Sequence, residues 1–434
     1  MKLLHTVALV AVALTGASVS AERAVKQLFH ITVPKSVFDA AVTSFGEELD
    51  IWSAEPVEGD KVKADLYVTE STIAKFRQPQ ESASILADQI KIERDSVDTE
   101  SYLAERAQVR AACTTSTLGW LEDVPTATNY VDNAFFDCWR QPDEVYAFLD
   151  LLVDENPTIF SKIENVTKTY EGRVIPAYKI STGTGRKSLY TQALIHAREW
   201  HAGSSGYYSI ASFLDGLRNK DATITNLFAE YDWYFVPILN LDGHLWTWSN
   251  TRLWRKNRRR ISSSTYGVDL NRNYGPTAFF GKGGERPSAE TYPGTAALSE
   301  PETSGSWAFI KSLPNLQGAI DLHSYSGLVL RPFGNQRAQA PAPWGAKLKT
   351  LGDNVAKATN NGTSLYVSQT SAELYLAYGT FTDAIFSELK NTPSVTFEME
   401  GSSFIQPESK IRPAGKRIFL GLVQFAKELK TYFA

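Results

Sequence analysis

Four apolar runs decide most of what this chain can become. SLYTQALI, YDWYFVPIL, LQGAIDL and SVTFEM stand beyond residue 140, separated by segments of helical periodicity such as PDEVYAFLDLLVDE. Each run is too short to span a membrane. Each is also too continuously apolar for a strand with one wet face. Strands buried on both faces and alternating with helices specify an α/β domain with a largely parallel or mixed central sheet flanked by helices. In such sheets, sites form beyond the carboxyl ends of the strands. His196, Asn240, His323 and Glu398 all lie at or near such ends.

The first hundred residues follow a different pattern. QLFHITV alternates, then Pro34 opens a segment with Val37, Ala41, Phe45 and Leu49 at helical spacing. DIWSA and KADLYV read as strands around the turn-like PVEGD, and a second amphipathic segment starts near Ser71. Helices on one face of a small antiparallel sheet suit this order, an α+β unit. KIERDSVDTESYLAERAQVR then reads as a solvated helix or linker that offers Arg106 and Arg110 to a trypsin-like protease. Residues 22–110 hold 11 basic and 17 acidic side chains, a net of −6, against −4 for the whole chain. An acidic first unit beside an arginine-studded second one suits an intramolecular lid; serving solubility alone is the plainer alternative.

The start, MKLLHTVALVAVALTGASVSA, has one lysine, an apolar stretch and then small residues, with Val19 and Ala21 at the −3 and −1 positions of a cleavage site. Residues 1–21 are therefore expected to be a signal peptide and the protein to be secreted and extracellular. In that compartment the only two cysteines, Cys113 and Cys138, are expected to form a disulfide. Asn165 and Asn361 stand in sequons that carry glycans only in a eukaryotic secretory route. The net charge gives no reason to expect a nucleic-acid partner, and no membrane span is foreseen.

ALIHAREWHAG raises the question of chemistry. The apolar run stops at His196, and Arg198, Glu199 and His201 follow at once. That spacing is either a polar loop capping a strand or two metal ligands awaiting a third. His323, in AIDLHSYSG, ends another apolar run. Zinc at a catalytic site takes three protein ligands and leaves one position for water. His196, Glu199 and His323 make a set of the right chemistry, with His201 as a competing ligand and His244 read as a turn residue. A serine hydrolase would need a GxSxG elbow, which the chain lacks.

Six motifs now stand in one order: HAREW, RLWRKNR, GVDLNRNY, ETYPG, LHSYSG and SVTFEME. In order and approximate spacing they resemble the M14 zinc metallocarboxypeptidases of the pancreatic carboxypeptidase A and B type. DIWSAEP and its flanks resemble that family's activation propeptide, so the resemblance covers nearly everything from residue 22 on. It implies a signal peptide over 1–21, an activation propeptide with a helical linker over 22–110, and a zinc carboxypeptidase catalytic domain over 111–434. It implies one Zn²⁺ held by His196, Glu199 and His323, with the Asp269 carboxylate orienting the first histidine. Glu398 matches the general base, with Glu400 as the competing candidate. Arg255 matches the oxyanion-stabilising arginine, while Arg258, Arg259 and Arg260 read as a solvated basic loop. Asn271 and Arg272 match the clamp for a terminal carboxylate, and Tyr375 matches a tyrosine that closes over it. Arg198, Ser324 and Tyr325 resemble residues along the substrate groove.

The same resemblance places Thr382 at the floor of the specificity pocket, with Gly334 leaving it open and Thr370, Leu374 and Ala377 lining it. A threonine floor implies aliphatic and aromatic C-terminal residues with broad tolerance. The interval from Asp383 to Glu398 is one residue longer than the family pattern. That leaves open a register in which Asp383 reaches the floor and selects lysine or arginine. The implied protein is a monomeric proenzyme acting on the C-termini of peptides and proteins. Its propeptide inhibits it until a trypsin-like protease cuts the chain. A noncatalytic peptide-binding relative would lack Glu398 or a metal ligand, and this chain has them all.

Overall fold

Alternation in QLFHITV produces the first strand of a small antiparallel sheet. Strands β1 (Gln27–Pro34), β2 (Ile51–Val57), β3 (Lys61–Val68) and β4 (Lys91–Arg94) lie in the order β2-β3-β1-β4. The computed structural model describes residues 25–77, 89–97, 99–124, 128–183, 187–276, 280–281 and 286–434. The expected signal peptide and Glu22 lie outside the described residues. Helices Lys35–Phe45 and Glu70–Arg77 bury Val37, Phe38, Ala41, Ile73 and Phe76 against Phe29, Ile31 and Val33. This core continues into Leu328, Leu330 and Leu374 of the larger unit.

Three expectations need correction here. The first helix ends at Phe45, and Leu49 is buried beyond it after a short 3₁₀ turn. KIER is an edge strand rather than linker, its charged side chains blunting an edge that would otherwise template pairing. The following residues form the expected helix, Thr99–Ser116, with no buried residue, but its two arginines are engaged rather than offered to solvent. Arg106 makes an ion pair with Glu408, and the Arg110 guanidinium lies 5.2 and 5.1 Å from the ring centres of Trp200 and Trp248. Neither arginine is therefore presented on an open segment, because stacked indoles and a distant carboxylate supply partners that local composition does not reveal. Cys113, near the end of this helix, is bonded to Cys138 with a Cα separation of 5.9 Å.

The four apolar runs occupy an eight-stranded mixed sheet. Its strands are β5 (Phe160–Lys168), β6 (Val174–Ile180), β7 (Lys187–Ala193), β8 (Tyr231–Val236), β9 (Leu316–Ser324), β10 (Leu328–Arg331), β11 (Val367–Thr370) and β12 (Ser394–Met399). The order is β11-β10-β12-β9-β7-β8-β6-β5, and the central block β12-β9-β7-β8 is parallel. Successive residues serve opposite faces: Trp233 and Phe235 join one apolar layer, Tyr234 and Val236 the other. Helices Trp200–Arg218 and Ile411–Phe433 pack in the first layer, helices Pro301–Ser312 and Phe381–Glu388 in the second. Asn165 on β5 and Asn361 after helix Trp344–Asn360 are both exposed. Among the described residues, no helix is long and apolar enough to cross a membrane.

Candidate metal centre and substrate groove

Parallel strands end on one rim, and this rim gathers the charged residues. The chain leaves β7 at Ala193, and Leu194 takes a left-handed backbone (φ 55°) that turns it out of the sheet. His196 follows, and Glu199 stands at the N-cap of helix Trp200–Arg218. His323 on β9 and Glu398 on β12 are register partners across the adjacent strands. His196 Nδ1 lies 2.8 Å from Glu199 Oε1, and His323 Nδ1 lies 3.0 Å from Glu199 Oε2. His196, Glu199 and His323 are all buried and offer ligand atoms within 4.8 Å of one another. Burial works to raise the Glu199 carboxyl, yet the two imidazoles hold it well below the usual carboxylate range.

Each imidazole turns its other nitrogen to a second carboxylate. His196 Nε2 lies 3.1 Å from Asp269 Oδ1, which also accepts from the Asn271 amide at 2.9 Å. Arg255 donates to Asp269 Oδ2 through Nε at 3.2 Å and Nη2 at 2.9 Å, so Asp269 stays ionised despite its burial. His323 Nε2 lies 2.8 Å from Asp321 Oδ2. Asp321 is absent from the sequence reading, although its signal was present. In AIDLHSYSG it stands two residues before the histidine, on the same strand face.

Apart from Arg198 and Gly334, the remaining predicted residues surround one cavity. Arg255, Asn271, Arg272, Ser324, Tyr325, Tyr375, Thr382 and Glu398 line it together with the His196, Glu199 and His323 cluster. Arg272 Nη1 donates to the Asn271 carbonyl at 2.9 Å, its Nη2 reaches the Tyr375 hydroxyl at 3.5 Å, and Asn271 Oδ1 accepts from the Phe381 amide at 2.8 Å. Desolvation pushes the Glu398 carboxyl up to about 8, the His323 charge opposing and Glu199 reinforcing the rise.

Residues 145–421 match the zinc carboxypeptidase family model. Carboxypeptidase A1 of Rattus norvegicus is 35% identical over 302 residues, covering 67% of this chain and 70% of that protein. The chain belongs to the zinc carboxypeptidase family. Carboxypeptidase A2 of Rattus norvegicus is 29% identical over 393 residues, 89% of this chain and 88% of that one. This chain shares its fold with the crystal structure of carboxypeptidase A from Helicoverpa armigera, with a TM-score of 0.77 at 24% identity over 94% of this chain and 98% of that one.

In this carboxypeptidase the pocket residues divide. Leu330, Leu374, Ala377, Thr380, Thr382 and Thr396 line the cavity beside the histidines. Thr370 is not among its lining residues and instead caps helix Ser371–Leu374 with Glu373. Gly334 is also outside the lining; its amide donates to both oxygens of Asp383 at 3.0 Å. Asp383 accepts from the Asn335 amide as well and is fully enclosed, which pushes its carboxyl up to about 6. Its carboxylate thus serves the backbone at Gly334 and Asn335, while Thr382 faces the cavity.

Other competing candidates find structural roles. Glu400 lies past β12 and binds Tyr366 and Arg417. His201 is buried in helix Trp200–Arg218, its Nε2 3.4 Å from the Lys410 carbonyl. His244 is buried within helix Leu241–Ser249, not in a turn, and burial lowers it to about 4. Arg258 is not solvated either: Trp246, Trp254 and Tyr266 enclose its guanidinium with ring centres at 3.7, 4.5 and 4.7 Å. Arg259 pairs with Glu300 at 2.9 Å.

The small N-terminal sheet covers the groove. Asp50 takes the Arg198 guanidinium through both oxygens, at 2.9 and 2.8 Å. Tyr325 donates its hydroxyl to Asp65 Oδ2 at 3.0 Å. Trp52 and Tyr325 both pack edge-on against Phe404, at 5.1 and 5.0 Å. A cavity of about 690 Å³ remains between the first helix, Arg255, Arg272 and Tyr375.

Proposed function

We propose that this zinc carboxypeptidase is secreted as an inactive proenzyme and, once cut, removes aliphatic or aromatic residues from peptide C-termini. The observation that carries the reading is adjacency: the His196, Glu199 and His323 cluster opens onto the same cavity as Glu398 and the Asn271, Arg272 and Tyr375 group. Two imidazoles and a carboxylate suit zinc. Charge supports the fit, because Glu199, Asp269 and Asp321 place three buried carboxylates around the two imidazoles, an anionic surround that favours a cation. Zinc bound there supplies an acidified water and polarises the scissile carbonyl.

The chain's own groups supply the rest. Arg272 and Asn271 hold the terminal carboxylate, and Tyr375 closes over it. Glu398 takes the proton of the attacking water and hands it to the departing amine. Arg255 anchors on Asp269 through two nitrogens, which leaves Nη1 for the developing oxyanion. Thr382 in the cavity, with Asp383 turned to backbone amides, supports the apolar preference over a basic one. Latency rests on Asp50 and Asp65, which occupy the groove residues Arg198 and Tyr325. Cutting near Arg106 or Arg110 then requires helix Thr99–Ser116 to leave its dock. The leader sequence supports export.

The test is to treat the full chain with trypsin and assay peptides ending in Phe, Leu and Lys, with and without a chelator. Activity on Phe and Leu that appears on cutting and vanishes with the chelator is expected. Preference for Lys would defeat the specificity, and full activity before cutting would defeat the latency.

A further inference from the structure

The two outer carboxylates of the metal cluster are not equivalent. Asp269 divides its charge among four donors: the His196 imidazole, the Asn271 amide and two nitrogens of Arg255. Asp321 has none of this. It is fully buried in the middle of β9, between Gln192 of β7 and Thr396 of β12. Its Oδ2 meets His323 Nε2 at 2.8 Å, and its Oδ1 has no hydrogen-bond partner among the described residues. Gln192 turns its amide oxygen to Tyr190 and is neutral in any case. A buried carboxylate needs a compensating charge, and its one hydrogen-bond partner here is the imidazole, through which a bound metal would supply that charge.

We propose that Asp321 is the positioning residue that fixes His323 with Nδ1 toward the metal, and that zinc retention depends on Asp321 more than on Asp269. This rests on His196, Glu199 and His323 being the zinc ligands. A carboxylate shared with a guanidinium transfers little of its charge to the imidazole. One bound to the imidazole alone transfers nearly all of it, making that ring the more basic ligand. The strand supplies the geometry directly: positions 321 and 323 share a face of β9, so the carboxylate and the ring stand side by side without a loop to order.

The experiment compares the zinc dissociation constant of the full chain with those of Asp321→Asn and Asp269→Asn, by competition with a chelating dye. Asparagine keeps the one acceptor oxygen that Asp321 uses, so there the charge is what changes. At Asp269, where both oxygens accept, it also removes an acceptor, which makes a smaller loss there the more stringent outcome. Asp321→Asn is expected to weaken zinc binding ~10–100-fold, and Asp269→Asn less. An Asp321→Asn value within twofold of the parent, or a larger loss from Asp269→Asn, overturns the proposal. Should the variant not fold, nitrogen-15 spectra of the zinc-loaded parent decide it: His323 must carry its proton on Nε2, and a proton on Nδ1 overturns the proposal. A parent chain that holds no zinc defeats the ligand assignment itself. A parent that holds it beside an unaffected variant defeats only the role of Asp321.

Discussion

The small N-terminal sheet and the rim of the large sheet treat charge in opposite ways. Around the small sheet, ion pairs such as Lys63–Glu55 and Lys91–Glu93 have both side chains more than half exposed, while the core beneath is apolar. At the rim, Glu199, Asp269, Asp321, Arg255 and Arg272 are all buried. Exposed pairs contribute little because water competes for both partners. Buried ones are costly unless every member is matched, so a concentration of them marks a site rather than a stabilising device. Asp50 and Asp65 are the informative exceptions in the small unit, since both are buried and both reach across to groove residues.

The contrast breaks most visibly at Glu398. Glu398→Gln should lower kcat by about 10³-fold or more with little change in the urea midpoint; a variant retaining a tenth of parental turnover would remove Glu398 as the base. Next comes the interface. Asp50→Asn leaves Arg198 buried without its carboxylate, a change of about 3–5 kcal/mol in comparable buried pairs. The uncut variant should then hydrolyse a Phe-terminated peptide faster than the uncut parent. Equal rates and equal unfolding profiles would mean the clamp contributes nothing to latency.

A buried carboxylate away from the rim sharpens the comparison through pH. Burial pushes Glu302 from its ordinary 4.5 to about 7, the Tyr170 amide opposing. A raised acid favours the native state below its unfolded value and loses that contribution as pH rises through the folded one. Glu302→Gln should therefore match the parent below pH 4.5, gain on it up to about pH 7, and keep a constant advantage, on the order of 3 kcal/mol, above that. Thermal melts at pH 4 and pH 8 read the difference. The smallest effect belongs to the surface: Lys63→Ala should change stability by less than about 0.5 kcal/mol, and a larger loss would show that the exposed pairs are not idle.

Much of the site was legible because its residues sit where strands stop. His196, His323 and Glu398 end apolar runs, whereas Asp321, inside its run, escapes a reading that looks only at strand ends. Arg258 reads as part of a basic loop because its three enclosing rings, Trp246, Trp254 and Tyr266, flank RKNRRR at no helical or strand period that would announce their convergence. His244 was misread because NLDG suggests a turn, yet Asn240 caps the following helix, accepting from the Gly243 amide at 3.0 Å. The docking of Arg106 and Arg110 on Glu408, Trp200 and Trp248 joins residues up to 302 positions apart.

Sequence alone determined the α/β sheet, the rim on which chemistry sits and the residue types gathered there, since hydrophobic periodicity and strand ends are local properties of the chain. Tertiary structure decided which carboxylate serves a metal ligand alone and which is shared, whether Asp383 faces the cavity or a backbone amide, and that Asp50 closes on Arg198. Those are matters of which group meets which across long separations, and burial makes each such meeting strong enough to set the charge of both partners.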